Sequence, residues 1–150
     1  MLAAVSLISC TKSDNTNLCA TATLQADTAE TSALRAFLDS SKIKTIEDPR
    51  GFFYSIDRPG TDSTRPDVCS TITVSYTGRF TNNDQFDANS GTKLYLNSLI
   101  AGWKEGLPLI TKGGAISLYI PPSLGYGAIA QSSVPAGSYL IFHIELLDVQ

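Results

Sequence analysis

Apolar and polar residues alternate most plainly in three places along this chain. In STITVSYTGRF (70–80), Ile72, Val74 and Tyr76 share one face. Ile116, Leu118 and Ile120 do so in AISLYI (115–120), and Leu140, Phe142, Ile144 and Leu146 in the closing SYLIFHIELLDV. A period of two sends successive side chains to opposite faces of a sheet, so each segment predicts a half-buried strand. GFFYSID (51–57), aromatic and β-branched, and the short KLYL (93–96) predict two more.

Before these strands the period is helical. Leu34, Phe37 and Leu38 line up behind Asp27 and Glu30, which form a capping-box pair, and the helix is expected to end near Ser41. Its apolar face is narrow, suited to packing on the domain or on a second copy of the chain. A second helix of two turns is expected in LIAGWKEGL (99–107), capped by Asn97 and Ser98. PGTDSTRPD (59–67) and TNNDQFD (81–87) carry turn chemistry, and Pro121-Pro122 stops the strand before it. SLGYGAIAQSSVPAGS (123–138) is a long loop of the kind that forms a lid or wall. Five strands around one short helix, with an extra N-terminal helix, make an α+β domain.

Composition narrows the function. A chain of 150 residues suffices for one domain with a real core. Its net charge of −3, from 14 acids and 11 bases, supplies no basic face for nucleic acid. No run of eighteen apolar residues is present to span a membrane as a helix. The apolar run MLAAVSLIS (1–9) ends just before Cys10, and LISC (7–10) resembles the lipobox of bacterial lipoproteins. That reading makes residues 1–9 a signal peptide, although no basic residue precedes the apolar run, and Cys10 the lipidated N-terminus. A buried N-terminal strand is the alternative. On the lipoprotein reading the protein is extracytoplasmic, anchored through Cys10 in the cell envelope, periplasmic or on the outer membrane. Residues 10–47 then hold the tether and helix, and residues 48–150 the folded domain.

Cys19 and Cys69 remain as an even pair. In an exported protein they form a disulfide stapling the N-terminal segment to the domain, or each stays a free buried thiol. No CxxC spacing supports a redox or zinc site.

Catalytic apparatus is sparse. His143, the one histidine, falls opposite the apolar face of its strand, so no metal site or nucleophile–base–acid set assembles. No glycine-rich phosphate loop appears, and no cofactor is implied. What remains is an aromatic constellation of Tyr76, Phe86, Trp103, Tyr126 and Phe142, with Asp87 among them.

These residues lie in VSYTGRF…FD, LNSLIAGWKEGL, IPPSLGYG and VPAGSYLIFHIELLDV. In that order, from Gly51 to Val149, the motifs closely resemble the FKBP-type peptidyl-prolyl cis–trans isomerases. The lipobox, helix and early cysteine resemble exported FKBP lipoproteins of Bacteroidetes-type bacteria. The resemblance implies a five-stranded antiparallel sheet wrapped around one short helix. It also implies isomerisation of X–Pro bonds in proline-containing polypeptides, assisting the folding of exported proteins.

By the same resemblance, Tyr76 is a wall of the proline pocket, Phe86 and Asp87 are the FD pair, and Trp103 is the floor. The Tyr126 hydroxyl meets ligand carbonyls, and Phe142 closes the far wall. Leu99, Ile100 (through its amide) and Val134 contact substrate. Departures are Thr92 where the family has an aromatic, with Leu94 two places on, Ala101 for a frequent Pro or Arg, and a short ANSGTK loop. A binding or chaperone module without useful catalysis is the competing reading, with the N-terminal helix as a route to a homodimer.

Overall fold

The computed structural model describes Cys19 and residues 23–150; the lipobox reading at Cys10 lies outside the described residues. Helix α1 (Thr28–Ser40) begins at Asp27, whose side chain accepts from the Ala29 amide at 2.8 Å and the Glu30 amide at 3.4 Å. Strands β1 (Ile46–Glu47), β2 (Phe53–Arg58), β3 (Thr71–Phe80) and β4 (Gln85–Tyr95) follow. Helix α2 (Ala101–Gly106) precedes β5 (Ala115–Ile120) and β6 (Leu140–Val149). All neighbouring strands pair antiparallel, in the order β1-β2-β5-β6-β3-β4.

The α+β class holds, with corrections in detail. The sheet has six strands instead of five, because β1 adds a two-residue edge whose side chains are both exposed and leave no apolar signal. β4 runs for 11 residues, where alternation marked only KLYL. It is an edge strand exposed along most of its length, so burial imposes no pattern on it. The expected caps of α2 also move. Asn97 and Ser98 lie in a separate 3-10 turn, Leu96–Ser98, and the N-cap is Ile100, which makes no side-chain cap.

One face of the sheet carries the main core. Ile72, Val74, Ile116, Leu118 and Ile144 are sealed there together with Trp103 from α2. α2 lies so close to β5 that a Cβ on Gly102 would sit 2.5 Å from the Ile120 Cδ1 atom. Only glycine permits that approach.

α1 covers the opposite face. Its Leu34 and Leu38 pack with Phe53 of β2 and Tyr119 of β5 in a second cluster. β5 is buried on both sides, Tyr119 under α1 and Ser117 between Asp57 and His143, so its burial does not alternate as in a strand with one wet face. Of the two partners open to the apolar stripe of α1, the stripe takes the domain.

The segment before α1 is also tied in. Cys19 and Cys69 are joined as a disulfide with Cα atoms 5.3 Å apart, within the ordinary range for such a bridge. Ala26 enters the main core and donates its amide to the Arg50 carbonyl at 2.8 Å.

Candidate active site

The concave side of β3, β4 and β6, closed below by α2, leaves a cavity of about 170 Å³. Its lining comprises Tyr76, Asp87, Leu94, Ser98, Leu99, Ile100, Trp103, Tyr126 and Phe142. Strand alternation explains the walls. Tyr76 and Phe142 lie on the inward faces of the adjacent strands β3 and β6. α2 starts immediately after Ile100, which delivers Trp103 to the floor within its first turn.

Three rings form the apolar box. Trp103 stands edge-on to Tyr76 (centroids 5.2 Å apart, 87°) and to Phe142 (5.2 Å, 88°), and Tyr76 meets Phe142 at 6.2 Å. Edge-to-face geometry points the positive ring edge at a negative face, which fixes each ring through its neighbours. Trp103 is only 4% exposed, so it is core and floor at once. Its Nε1–H is buried with no hydrogen-bond partner among the described residues.

The polar side chains of the lining are Tyr76, Asp87, Ser98 and Tyr126. Tyr76 donates its hydroxyl to Asp87 Oδ2 at 2.8 Å. Burial, with the hydrogen bond and the negative charge of Asp87, pushes the Tyr76 phenol up to about 12. Tyr126 is also raised, by burial and then by Asp87, and is 37% exposed at the mouth. Both phenols are neutral at physiological pH and able to donate a hydrogen bond.

Support comes from the far end of α2. Glu105, two residues past Trp103, is buried, accepts the Leu24 amide at 3.2 Å and lies 3.7 Å from the Arg50 guanidinium. Burial raises its carboxyl, and Arg50 counteracts part of the rise. Arg50 in turn holds Asp48 with two side-chain contacts of 2.7 and 2.9 Å. A buried carboxylate is tolerated when an opposite charge and a backbone donor compensate it.

Seven of the nine residues expected at the site line the cavity: Tyr76, Asp87, Leu99, Ile100, Trp103, Tyr126 and Phe142. Phe86 and Val134 do not. Phe86 stands behind Phe142 (5.5 Å, 88°) and stacks on Phe80 at 4.7 Å, so it braces the wall. Gly78 makes room for that brace, since a Cβ there would lie 2.7 Å from the Phe86 ring. Val134 is buried and bridged to Gln131, within the loop. Ser98, read as a helix cap, is an additional lining residue; its hydroxyl donates to the Tyr95 carbonyl at 2.7 Å. Nothing in its local sequence distinguishes that role from a cap.

Ser, His and Asp do meet elsewhere, on the outer face of the sheet. Ser117 Oγ lies 2.7 Å from Asp57 Oδ2 and 2.7 Å from His143 Nδ1. The hydroxyl has one proton, and the carboxylate can only accept it. His143 Nδ1–H must then be the donor, so this histidine cannot serve as the base for Ser117.

Comparisons with known proteins bear on this geometry. The family model for the FKBP-type peptidyl-prolyl cis-trans isomerase matches residues 62–147, more than half of the chain. The chain belongs to that family. Among relatives, it is 43% identical over 104 residues to the FKBP-type peptidyl-prolyl cis-trans isomerase FkpA of Buchnera aphidicola subsp. Schizaphis graminum, covering 67% of this chain and 41% of that protein. It is 39% identical over 105 residues to FkpA of Escherichia coli K12, covering 67% and 38%. The chain thus spans about two-fifths of the length of these relatives.

Solved structures agree in fold. The crystal structure of FkpA from Escherichia coli superposes with a TM-score of 0.73 at 30% identity, over 81% of this chain and 60% of that one. A peptidyl-prolyl cis-trans isomerase from Pseudomonas syringae pv. tomato gives 0.70 at 31%, over 84% and 98%. This FKBP-family chain shares its sheet and short helix with both.

Proposed function

We propose that this chain catalyses cis–trans isomerisation of X–Pro peptide bonds in polypeptides, holding the proline ring in the Tyr76–Trp103–Phe142 box. The observation that carries the reading is the box itself, three aromatic rings set edge to face around a small cavity. Rotation about a peptide bond costs about 18–20 kcal/mol because the twisted amide loses resonance. No covalent bond to substrate has to break, so no nucleophile or base is required. Water stabilises the charge-separated planar amide, and a dry aromatic box favours the less polar twisted one. Tyr126 at the mouth and the Ile100 amide at the start of α2 hold the flanking carbonyls. Asp87 orients the Tyr76 ring through their hydrogen bond.

Location is part of the same proposal. LISC, which ends at Cys10, and the cysteine pair fit an exported lipoprotein of the Bacteroidetes-type branch, anchored in the envelope and acting on exported chains. A homodimer through α1 would need a surface other than Leu34 and Leu38, which the sheet covers.

A second reading, binding without catalysis, draws on Ile129, 70% exposed on the loop three residues past Tyr126. A tetrapeptide isomerisation assay on the full chain separates the two. Acceleration at micromolar protein, lost in Trp103→Leu, is expected. No acceleration, with aggregation suppression that survives Trp103→Ala, would favour binding alone.

A further inference from the structure

In an ordinary capping box the side chain three residues into a helix reaches back to the N-cap amide. Glu30 has that position in α1 but does not make that bond. Its Oε2 accepts the Ser123 amide at 2.8 Å and the Ser123 hydroxyl at 2.6 Å. The Asp27 amide donates instead to Ser123 Oγ at 3.1 Å. Ser123 is inserted into the box, closing it from 93 residues away.

The arrangement supplies what the loop lacks. The 3-10 turn Pro122–Leu124 follows Pro121 and has no side-chain cap of its own. Proline has neither an N–H nor a polar side chain to offer, so the Ser123 amide depends on a partner from outside the turn. Glu30 provides a charged one, the stronger class of hydrogen bond. From Ser123 the turn leads directly to the cavity. Leu124 is fully buried, and the Gly125 and Gly127 amides both return to the Pro122 carbonyl, at 2.9 and 2.8 Å. Tyr126 lies between those two glycines.

We propose that α1 acts as an external cap on the loop, with Glu30 and Ser123 as positioning residues that set the placement of Tyr126. The proposal rests on the reading of Tyr126 as a substrate contact. Neither residue reaches the cavity; both act through the turn.

The test uses the full chain and X–Pro peptides. Glu30→Ala and Ser123→Ala are expected to raise KM about five- to tenfold with kcat nearly unchanged, as for lost binding common to ground and transition states. Glu30→Gln keeps an acceptor oxygen and is expected to restore most of the affinity. Leu38→Ala loosens α1 without touching Ser123, so it should lower Tm and leave KM alone. Hydrogen exchange at the Gly125 and Gly127 amides should accelerate in Glu30→Ala and not in Leu38→Ala. An unchanged KM in both loop-cap variants, an equal rise in Leu38→Ala, or unchanged protection of the two glycines would overturn the proposal. A wild-type chain without isomerase activity would defeat the reading of the site. Glycine protection would still decide the positioning: faster exchange in Glu30→Ala alone supports it, and no change refutes it.

Discussion

α1 and α2 differ in length, in capping and in what surrounds them. α1 has 13 residues, a side-chain N-cap and one apolar stripe against the sheet. α2 has six, no side-chain cap, two glycines, and five buried residues. Short isolated helices are marginal in water, and glycine weakens them further. α2 is helical because the core around it leaves no other course, whereas α1 is specified largely by its own sequence. The helix that carries the site thus depends most on the rest of the fold. Damage near α2 should cost stability and function together; damage at α1 should separate them.

The largest effect should come from Trp103→Ala. Removing a buried indole costs about 3–5 kcal/mol, and here it also removes the cavity floor. Denaturant unfolding and the isomerase assay should both register the change. Retained activity would place the chemistry elsewhere.

Leu38→Ala sharpens the contrast from the other side. Truncating this buried leucine should cost about 2–5 kcal/mol while kcat/KM of the remaining folded protein stays at the wild-type level. A parallel loss of activity would mean that α1 and the site are not separable by packing.

The smallest effect lies in pH. Because the fold raises the Tyr76 phenol from 10.0 to about 12, it favours the protonated form. That contribution to stability is complete below pH 10 and is lost as pH rises from 10 towards 12. The wild-type minus Tyr76→Phe difference spectrum should therefore show phenolate appearing near pH 12. Ionisation near the ordinary tyrosine value would dissociate Tyr76 from Asp87.

Where burial imposes a period, the chain was readable. β3 and β6 have one face on the core, and their alternation is visible in the residues; α1 announces itself through Asp27 and its apolar spacing. β4 does not, because this edge strand is held mainly by backbone bonds to β3, and few of its side chains, Phe86 and Leu94 among them, reach the core. Ile100 as the start of α2 was equally hidden, since an N-cap without a side-chain bond leaves no mark. At the site, the large aromatics and Asp87 were legible by motif. Ser98 was not, and Phe86 turned out to stand one layer behind the cavity. The Glu30–Ser123 link spans 93 residues, beyond any local pattern. Sequence periodicity reports burial, and hydrogen bonds between distant turns escape it.

The cover that α1 places over the sheet bears on what can be cut away. The family match begins at residue 62, after β2 has ended. A chain trimmed to that match would lose β2, one of the two strands that pair with β5, bare Tyr119 to water and leave the Ser123 amide without its acceptor. The segment matched by the family model thus leans on structure that lies outside it.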